Sequence, residues 1–177
     1  MKKCTTFTLG QTTIKKVFDD VADTSYLGEY GVKLKPGCII RTLDKFYEDL
    51  EEDEEIPRTN DRSCEYFYPP ENGEKIGTEE YKKYALQDYK MMEDLNNGQW
   101  AHIGIIVSTT VNTDMNVSSE ISESLWGIED HGNTDSREYH QTIIEDLKSS
   151  VKSQLLDMGF NESEIVESFN NSLEVKE

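Results

Sequence analysis

The stretch QWAHIGIIVSTTV, residues 99–111, constrains the fold of this chain more than any other. It is rich in β-branched side chains and too short for a buried helix of typical length, so it predicts a central β-strand. Gly104 within it predicts a bulge or a close backbone approach. After the polar segment NTDMNVSS, the stretch EISESLWGI alternates apolar and polar side chains. This alternation predicts a second strand, antiparallel to the first.

The last third of the chain has the pattern of two helices. Asp135 and Glu138 have the spacing of a capping box, and Gly159 can supply a left-handed stop. The apolar side chains between them recur at near-heptad spacing: Tyr139, Ile143, Leu147, Val151, Leu155 and Met158. Asn161 and Glu164 predict the cap of a second helix. The apolar residues of that helix are Ile165, Phe169 and Leu173.

A further helix is predicted over TEEYKKYALQDYKMMEDLNNG. Thr78 is its expected cap, and Asn97 with Gly98 ends it. The apolar stripe of this helix, which we expect to lie in the core, contains Tyr81, Tyr84, Ala85, Tyr89, Met92 and Leu95.

Shorter segments complete the predicted elements. TTFTLGQTTI alternates as a half-buried strand does, and CEYFY can form a short strand. Pro36 and Gly37 mark a turn before a short strand at residues 38–40. A helix is predicted to follow, because Leu43, Phe46, Tyr47 and Leu50 recur at helical spacing.

These elements predict an α+β fold, in which helices cover one face of a small antiparallel sheet and the C-terminal third is helical over about residues 136–173. A chain of 177 residues is most simply one domain, here residues 1–177. Cys4, Cys38 and Cys64 are far apart, so neither a disulfide framework nor a zinc site is indicated. With no long apolar run and no signal peptide, we expect a cytoplasmic protein without membrane contact.

The net charge of −18 is unevenly distributed along the chain. Residues 1–43 carry 7 basic and 4 acidic side chains, residues 44–98 carry 7 and 17, and residues 99–177 carry 4 and 15. Such a surface repels nucleic acid and anionic membranes and attracts basic proteins or cations, although excess acid also serves solubility alone. The densest acidic run, which is the first candidate for partner binding, contains Glu48, Asp49, Glu51, Glu52, Asp53, Glu54 and Glu55.

The segment SLWGIEDH, residues 124–131, is the second candidate site. Its bulky apolar residues predict a core or interface anchor at Trp126, and Glu129 with Asp130 predicts an electronegative rim. The alternative is an acid–base or metal site that uses Glu129, Asp130 and His131, with His102 or His140 brought near by folding.

Other motifs are weaker. Five polar residues fall at ligand positions of a calcium-binding loop, namely Asn112, Asp114, Asn116, Ser118 and Glu123. Val117 stands where the turn of such a loop needs glycine, so a polar hairpin is preferred. Nucleotide-binding and hydrolase signatures are absent from the sequence, and no cofactor is expected. A local basic patch remains open for direct DNA contact and contains Lys2, Lys3, Lys15, Lys16, Lys33 and Lys35.

Several phrases together resemble a family of small phage and plasmid proteins. They are DTSYLGEY, YFYPPEN, EEYKKYALQDYKMMEDLNNGQWAHIGI, SLWGIED and the terminal LLDMGF. The resemblance covers about residues 19–160, while the acidic run and the tail after Phe160 lie outside the shared phrases. It implies accessory cargo of mobile elements, among which anti-CRISPR and anti-restriction proteins are common.

Resemblance and charge together predict a non-enzymatic inhibitor of a host nucleic-acid-dependent defence nuclease, with a Cas9-type effector as the first candidate. Such nucleases hold nucleic acid in basic channels, which an acidic protein can occupy as a DNA mimic. The 18 net negative charges equal those on roughly 30 Å of duplex. The alternatives are a small metal-dependent hydrolase or transferase using Glu129, Asp130 and His131, and an accessory protein of phage replication or assembly.

Overall fold

The computed structural model describes residues 7–41, 65–115 and 117–176, together with the backbone of Lys45–Phe46. It divides into two compact units, which we call the terminal unit, Met1–Ala22 with Trp100–Glu177, and the central unit, Asp23–Gln99. Each unit has its own sheet. The fold class is α+β, as predicted, while one domain over residues 1–177 stays a prediction.

In chain order the elements are β1 Phe7–Phe18, a 3-10 turn Ser25–Leu27, β2 Glu29–Gly31, β3 Ile39–Ile40, β4 Lys45–Phe46, β5 Tyr66–Tyr68, α1 Glu79–Asn96, β6 Ala101–Thr113, β7 Ser118–Asp130, α2 Thr134–Asp157, α3 Glu162–Asn170 and β8 Leu173–Lys176. In the sequence, the central unit lies between β1 and the other strands of the terminal unit.

The sheet of the terminal unit has the strand order β7-β6-β1-β8. The long strands β1, β6 and β7 pair antiparallel, which confirms the predicted strands in these segments. The short strand β8 pairs parallel with β1. The sheet is therefore mixed at one edge, and β7 forms the other edge.

Two helices pack on the sheet of the terminal unit. α2 contacts β6 and β7, and α3 contacts β1. The core between sheet and helices is aliphatic except for one phenylalanine, and its buried residues are Ile14, Ile103, Ile105, Val107, Val111, Ile128, Ile143, Ile144, Val151, Leu155, Phe160 and Ile165. The residues that β6 contributes to this core are all odd-numbered, because alternate side chains of a strand point to the same face.

The C-terminal third differs from its prediction in two details. The N-cap of α2 is Asn133, whose side chain accepts a hydrogen bond from Ser136 N, and not Asp135. Asp135 lies in the first turn instead, where negative charge is also favoured. Leu173 is not helical but begins β8, because the chain pairs with β1 after α3 ends. The capping box of Asn161 and Glu164 is confirmed.

The central unit contains α1 and a sheet with the order β2-β5-β3-β4. Thr78 caps α1 by accepting from Tyr81 N, as predicted. Tyr81, Ala85 and Met92 of the predicted stripe are buried, whereas Tyr84 is exposed. A second buried group is aromatic: Tyr30 and Phe67 are both fully buried, with ring centroids 5.6 Å apart.

The helix predicted around Phe46 in the central unit is wrong at the two residues that the structure describes there. Lys45–Phe46 forms β4, which pairs antiparallel with β3, so strand pairing replaces the helix expected around Phe46. Leu43, Tyr47 and Leu50 lie outside the described residues. The strand predicted from CEYFY is confirmed as β5. Among the helices described, none has the length and apolar character needed to cross a membrane.

Candidate functional site

The segment SLWGIEDH contains a β-bulge in the edge strand β7. Ile103 pairs with Ile128, but Ile105 pairs with Leu125, so β7 has one residue more than β6 between these pairs. Gly127 adopts φ +73°, a conformation that side chains rarely tolerate. The predicted irregularity at Gly104 is thus confirmed, with the extra residue on the opposite strand.

The ring of Trp126 lies across Gly104. A Cβ atom on Gly104 would lie 2.3 Å from Cε3 of Trp126, so only glycine leaves room for the indole there. The indole Nε1 donates to Ser124 Oγ at 3.2 Å. Trp126 is nevertheless 48% exposed. Trp126 is therefore a surface residue held in place against the sheet. Of the two predictions for it, the core anchor is wrong and the interface anchor stays a prediction.

The bulge is also fixed from β1. Gly127 N donates to the carboxylate of Asp19 at 2.9 Å, and the backbone N of Asp19 donates to His102 O at 3.0 Å. The residue after β1 therefore reaches the bulge on β7. A hydrogen bond to a carboxylate is stronger than one between neutral groups, so the local backbone is well positioned.

A cavity of about 620 Å³ lies beside the bulge, between β7 and the start of α2. Its apolar lining includes Leu125, Trp126 and Tyr139, which are 45%, 48% and 57% exposed. Its polar lining includes Glu129, Asp135 and His131. Exposed aromatic and aliphatic side chains next to carboxylates have the composition of a protein-binding site with an acidic rim.

The predicted rim residues have different surroundings. Glu129 lines the cavity, and its Oε2 lies 3.2 Å from Nε2 of His131. The carboxylate of Asp130 accepts from Gly132 N at 2.9 Å and so stabilises the turn before α2. Asp130 is not among the residues that line the cavity. Asp130 was predicted to share the rim with Glu129 because the two are adjacent in sequence, but only Glu129 lies at the cavity.

The three histidines form two separate environments. His102 pairs with Glu129 across the strands, and the Trp100 ring lies 4.9 Å from the His102 ring and 5.2 Å from the His131 ring. His140 is buried in α2. Its Nδ1 faces Lys16 Nζ at 3.4 Å, and its Nε2 faces the carbonyl of Glu129 at 3.4 Å. Through these two contacts the His140 ring links β1, α2 and β7.

Metal binding has no geometric counterpart in the part of the chain that the structure describes. No group of three or more His, Cys, Asp or Glu side chains there could hold a metal ion. The calcium-loop pattern forms the β6–β7 hairpin, in which Thr113 N donates to Val117 O at 2.9 Å. Glu123 pairs with Gln154 on α2, which places it away from the hairpin turn. Asn116 lies outside the described residues.

The other charged candidates fall into three parts of the chain. Glu48, Asp49, Glu51, Glu52, Asp53, Glu54 and Glu55 lie outside the described residues, as do Lys2 and Lys3. Lys15 and Lys16 belong to β1, and Lys33 and Lys35 belong to the central unit. The predicted basic patch is thus divided between two units.

Sequence reasoning missed Asp19, Asp135 and Tyr139 as site residues. Asp135 was interpreted as a helix cap and Tyr139 as one residue of the near-heptad apolar pattern. Both interpretations used the helix alone, whereas the cavity forms where the first turns of α2 meet the edge strand. For Asp19 no local pattern indicates a bond to a residue 108 positions away.

No protein-family model, no curated protein and no solved structure matches this chain. The resemblance to phage and plasmid proteins stays a prediction from the sequence phrases.

Proposed function

We propose that this protein is a phage or mobile-element inhibitor of a host nucleic-acid-dependent defence nuclease, with a Cas9-type effector as the first candidate. It acts without catalysis, in the host cytoplasm, by binding a basic surface of the nuclease. Nucleic acid is affected indirectly, through competition for that surface. The family resemblance and the excess of carboxylates support this proposal.

The observation that carries the proposal is the half-exposed Trp126 next to Leu125, Tyr139 and the carboxylates of Glu129 and Asp135. Tryptophan and tyrosine are enriched among residues that dominate binding energy in protein interfaces. Trp126 is also fixed before binding by Gly104 and Ser124, so little side-chain entropy is lost on association.

Charge supports a basic partner in preference to an acidic or neutral one. Residues 99–177, which include the whole cavity, carry 15 acidic and 4 basic side chains. A basic nucleic-acid channel would attract this surface over several ångströms and release its counterions on binding, as it does with DNA. The acidic run of residues 48–55 belongs to the same proposal as a second contact.

The first experiment is a plasmid- or phage-interference assay in cells that express the protein beside single defence systems, with a Cas9-type system in the panel. We expect protection of the invading DNA from one system. The affected nuclease is then titrated with the purified protein at increasing salt. Affinity should decrease steeply with salt, because ion pairs at an exposed interface are screened.

Charge reversal tests where binding occurs. We expect Glu129→Lys to weaken binding by about tenfold or more, equal to about 1.4 kcal/mol. A triple reversal of Glu51, Glu52 and Asp53 should have a comparable effect. Asp146→Lys is the matched control, because Asp146 is exposed on α2 and does not line the cavity. Equal losses for cavity and control variants would show that only total charge matters.

The second candidate is a small hydrolase or transferase, favoured by the 3.2 Å contact between Glu129 and His131. A carboxylate beside an imidazole is a common acid–base pair. This alternative expects activity that is lost in His131→Ala and, if a metal takes part, on treatment with a chelator. Inhibition of a nuclease that survives both treatments would eliminate it.

A further inference from the structure

The cavity beside the β7 bulge is lined both by carboxylates and by exposed apolar side chains, and one chemical group can bind to both. Asp135 and Glu129 supply negative charge, while Trp126, Tyr139 and Leu125 supply exposed aromatic and apolar surface. No lysine or arginine is among the described residues that line it. A cation with a flat, weakly hydrated head and an apolar stem matches this combination.

Glu129 already contacts a histidine of the cavity, because its Oε2 lies 3.2 Å from Nε2 of His131. Arg137 lies two residues after Asp135, but its Nη2 is directed to the carbonyl of Gly132 at 3.4 Å. The carboxylate of Asp130 is used by Gly132 N. Asp135 lies in the first turn of α2 and is exposed. The cavity thus keeps its acidic character next to the indole of Trp126.

We propose that this cavity binds an arginine side chain of the basic partner, with the guanidinium paired to Asp135, near the contact between Glu129 and His131, and against the aromatic rings. The proposal extends the proposed function by naming the group that is recognised. Arginine fits better than lysine because its planar head stacks on aromatic rings and bonds carboxylates with two N–H groups. The volume of about 620 Å³ admits such a side chain with part of its backbone.

The test uses a short peptide and does not require the nuclease. The purified full-length protein is titrated with acetyl-Gly-Arg-Gly-amide while the indole resonance of Trp126 and the amide resonance of Gly127 are followed by NMR. We expect both to shift, with a dissociation constant on the order of 1 mM. Matched peptides carry lysine or citrulline, which keeps the shape of arginine without its charge.

We expect the lysine and citrulline peptides to bind about five- to tenfold more weakly than the arginine peptide. Asp135→Asn should weaken arginine binding by a similar factor, while Asp146→Asn should leave it unchanged. The proposal is overturned by absence of shifts at Trp126 and Gly127, by equal binding of either comparison peptide, or by an Asp135→Asn variant that binds normally.

The two proposals fail separately. If the arginine peptide binds as expected but no defence system is inhibited, the cavity assignment holds and the proposed function is wrong. If a nuclease is inhibited but the peptide does not bind at the cavity, inhibition uses another part of the acidic surface.

Discussion

The buried core of the terminal unit consists mainly of aliphatic side chains, whereas the central unit adds aromatic rings and a partly buried ion pair to aliphatic residues such as Leu27 and Ile39. Val107, Val151 and Leu155 are fully buried in the terminal unit. In the central unit, Glu93 Oε1 accepts from Tyr30 Oη at 2.6 Å and from Arg41 Nη2 at 3.0 Å. The guanidinium of Arg41 also lies 4.4 Å from the centre of the Tyr30 ring.

The difference follows from strand length. Strands of 12 and 13 residues in the terminal unit can present a continuous apolar face to the helices. The described strands of the central unit have two or three residues each. A sheet this small buries less aliphatic surface, so large rings and polar bonds contribute beside Leu27 and Ile39. Burial and the bond to Glu93 raise the pKa of Tyr30, which keeps its phenol protonated as a donor.

The largest expected effect is in the aliphatic core. We expect Leu155→Ala to lower the free energy of unfolding of the terminal unit by about 2–5 kcal/mol, because a cavity remains. Denaturant unfolding followed by tryptophan fluorescence reports on this unit, since both Trp100 and Trp126 belong to it. Leu156→Ala is the matched control, because Leu156 is 42% exposed. Similar losses for the two variants would contradict an aliphatic origin of stability.

A smaller effect is expected from the ion pair. Glu93→Gln keeps the shape of the side chain but leaves Arg41 without its carboxylate, at a cost of about 2 kcal/mol. We expect faster hydrogen exchange at the amides of β2 and β5, with little change in β6. The exposed Glu71→Gln serves as control. Unchanged exchange in β2 and β5 would show that aromatic packing alone stabilises the central unit.

The smallest expected effect is a pH dependence of the central unit. Burial raises the pKa of Asp88 on α1, so the folded protein binds this proton more tightly than the unfolded chain. Protonated Asp88 stabilises the fold fully at pH values below the pKa that Asp88 has in the unfolded chain. This stabilisation is lost as the pH rises through the pKa of Asp88 in the folded protein.

Asp88→Asn should therefore stabilise the protein at pH 7, by less than about 1 kcal/mol because the side chain is partly solvated. Near pH ~3 this gain should disappear. Denaturant unfolding of the variant and the unaltered protein at both pH values measures the effect. A gain of the same size at both values would mean that it does not come from ionisation.

Long regular elements were predictable from the sequence, and short ones were less so. The patterns of β6, β7 and α1 extend over enough residues to distinguish period two from period 3.6. At β4 and β8, by contrast, helical spacing at Phe46 and Leu173 continued an expected helix into segments that form strands. Pairing with β3 and β1 decides these segments, and a partner distant in sequence leaves no local signal.

Residues 124–131 were predicted as a candidate site, and the structure shows which of their side chains lie at one cavity. The apolar anchor and acidic rim of residues 124–131 were expected, and Trp126 and Glu129 do lie together at the cavity. Asp130 turns away to Gly132, because successive residues of a strand end point in different directions. Asp135 and Tyr139 join the site from α2, and only the packing of that helix on the sheet brings them there.

The sequence by itself determined the α+β class, the long strands, the principal helices and the acidic character of the surface, because periodicity, caps and charge are local or additive properties. Tertiary structure alone decided that Trp126 is half-exposed and that Asp135 lines the same cavity. Exposure and proximity depend on pairing across strands and on helix packing, as the contact of Gly104 with Trp126 illustrates. These are long-range relations that no neighbouring residue encodes.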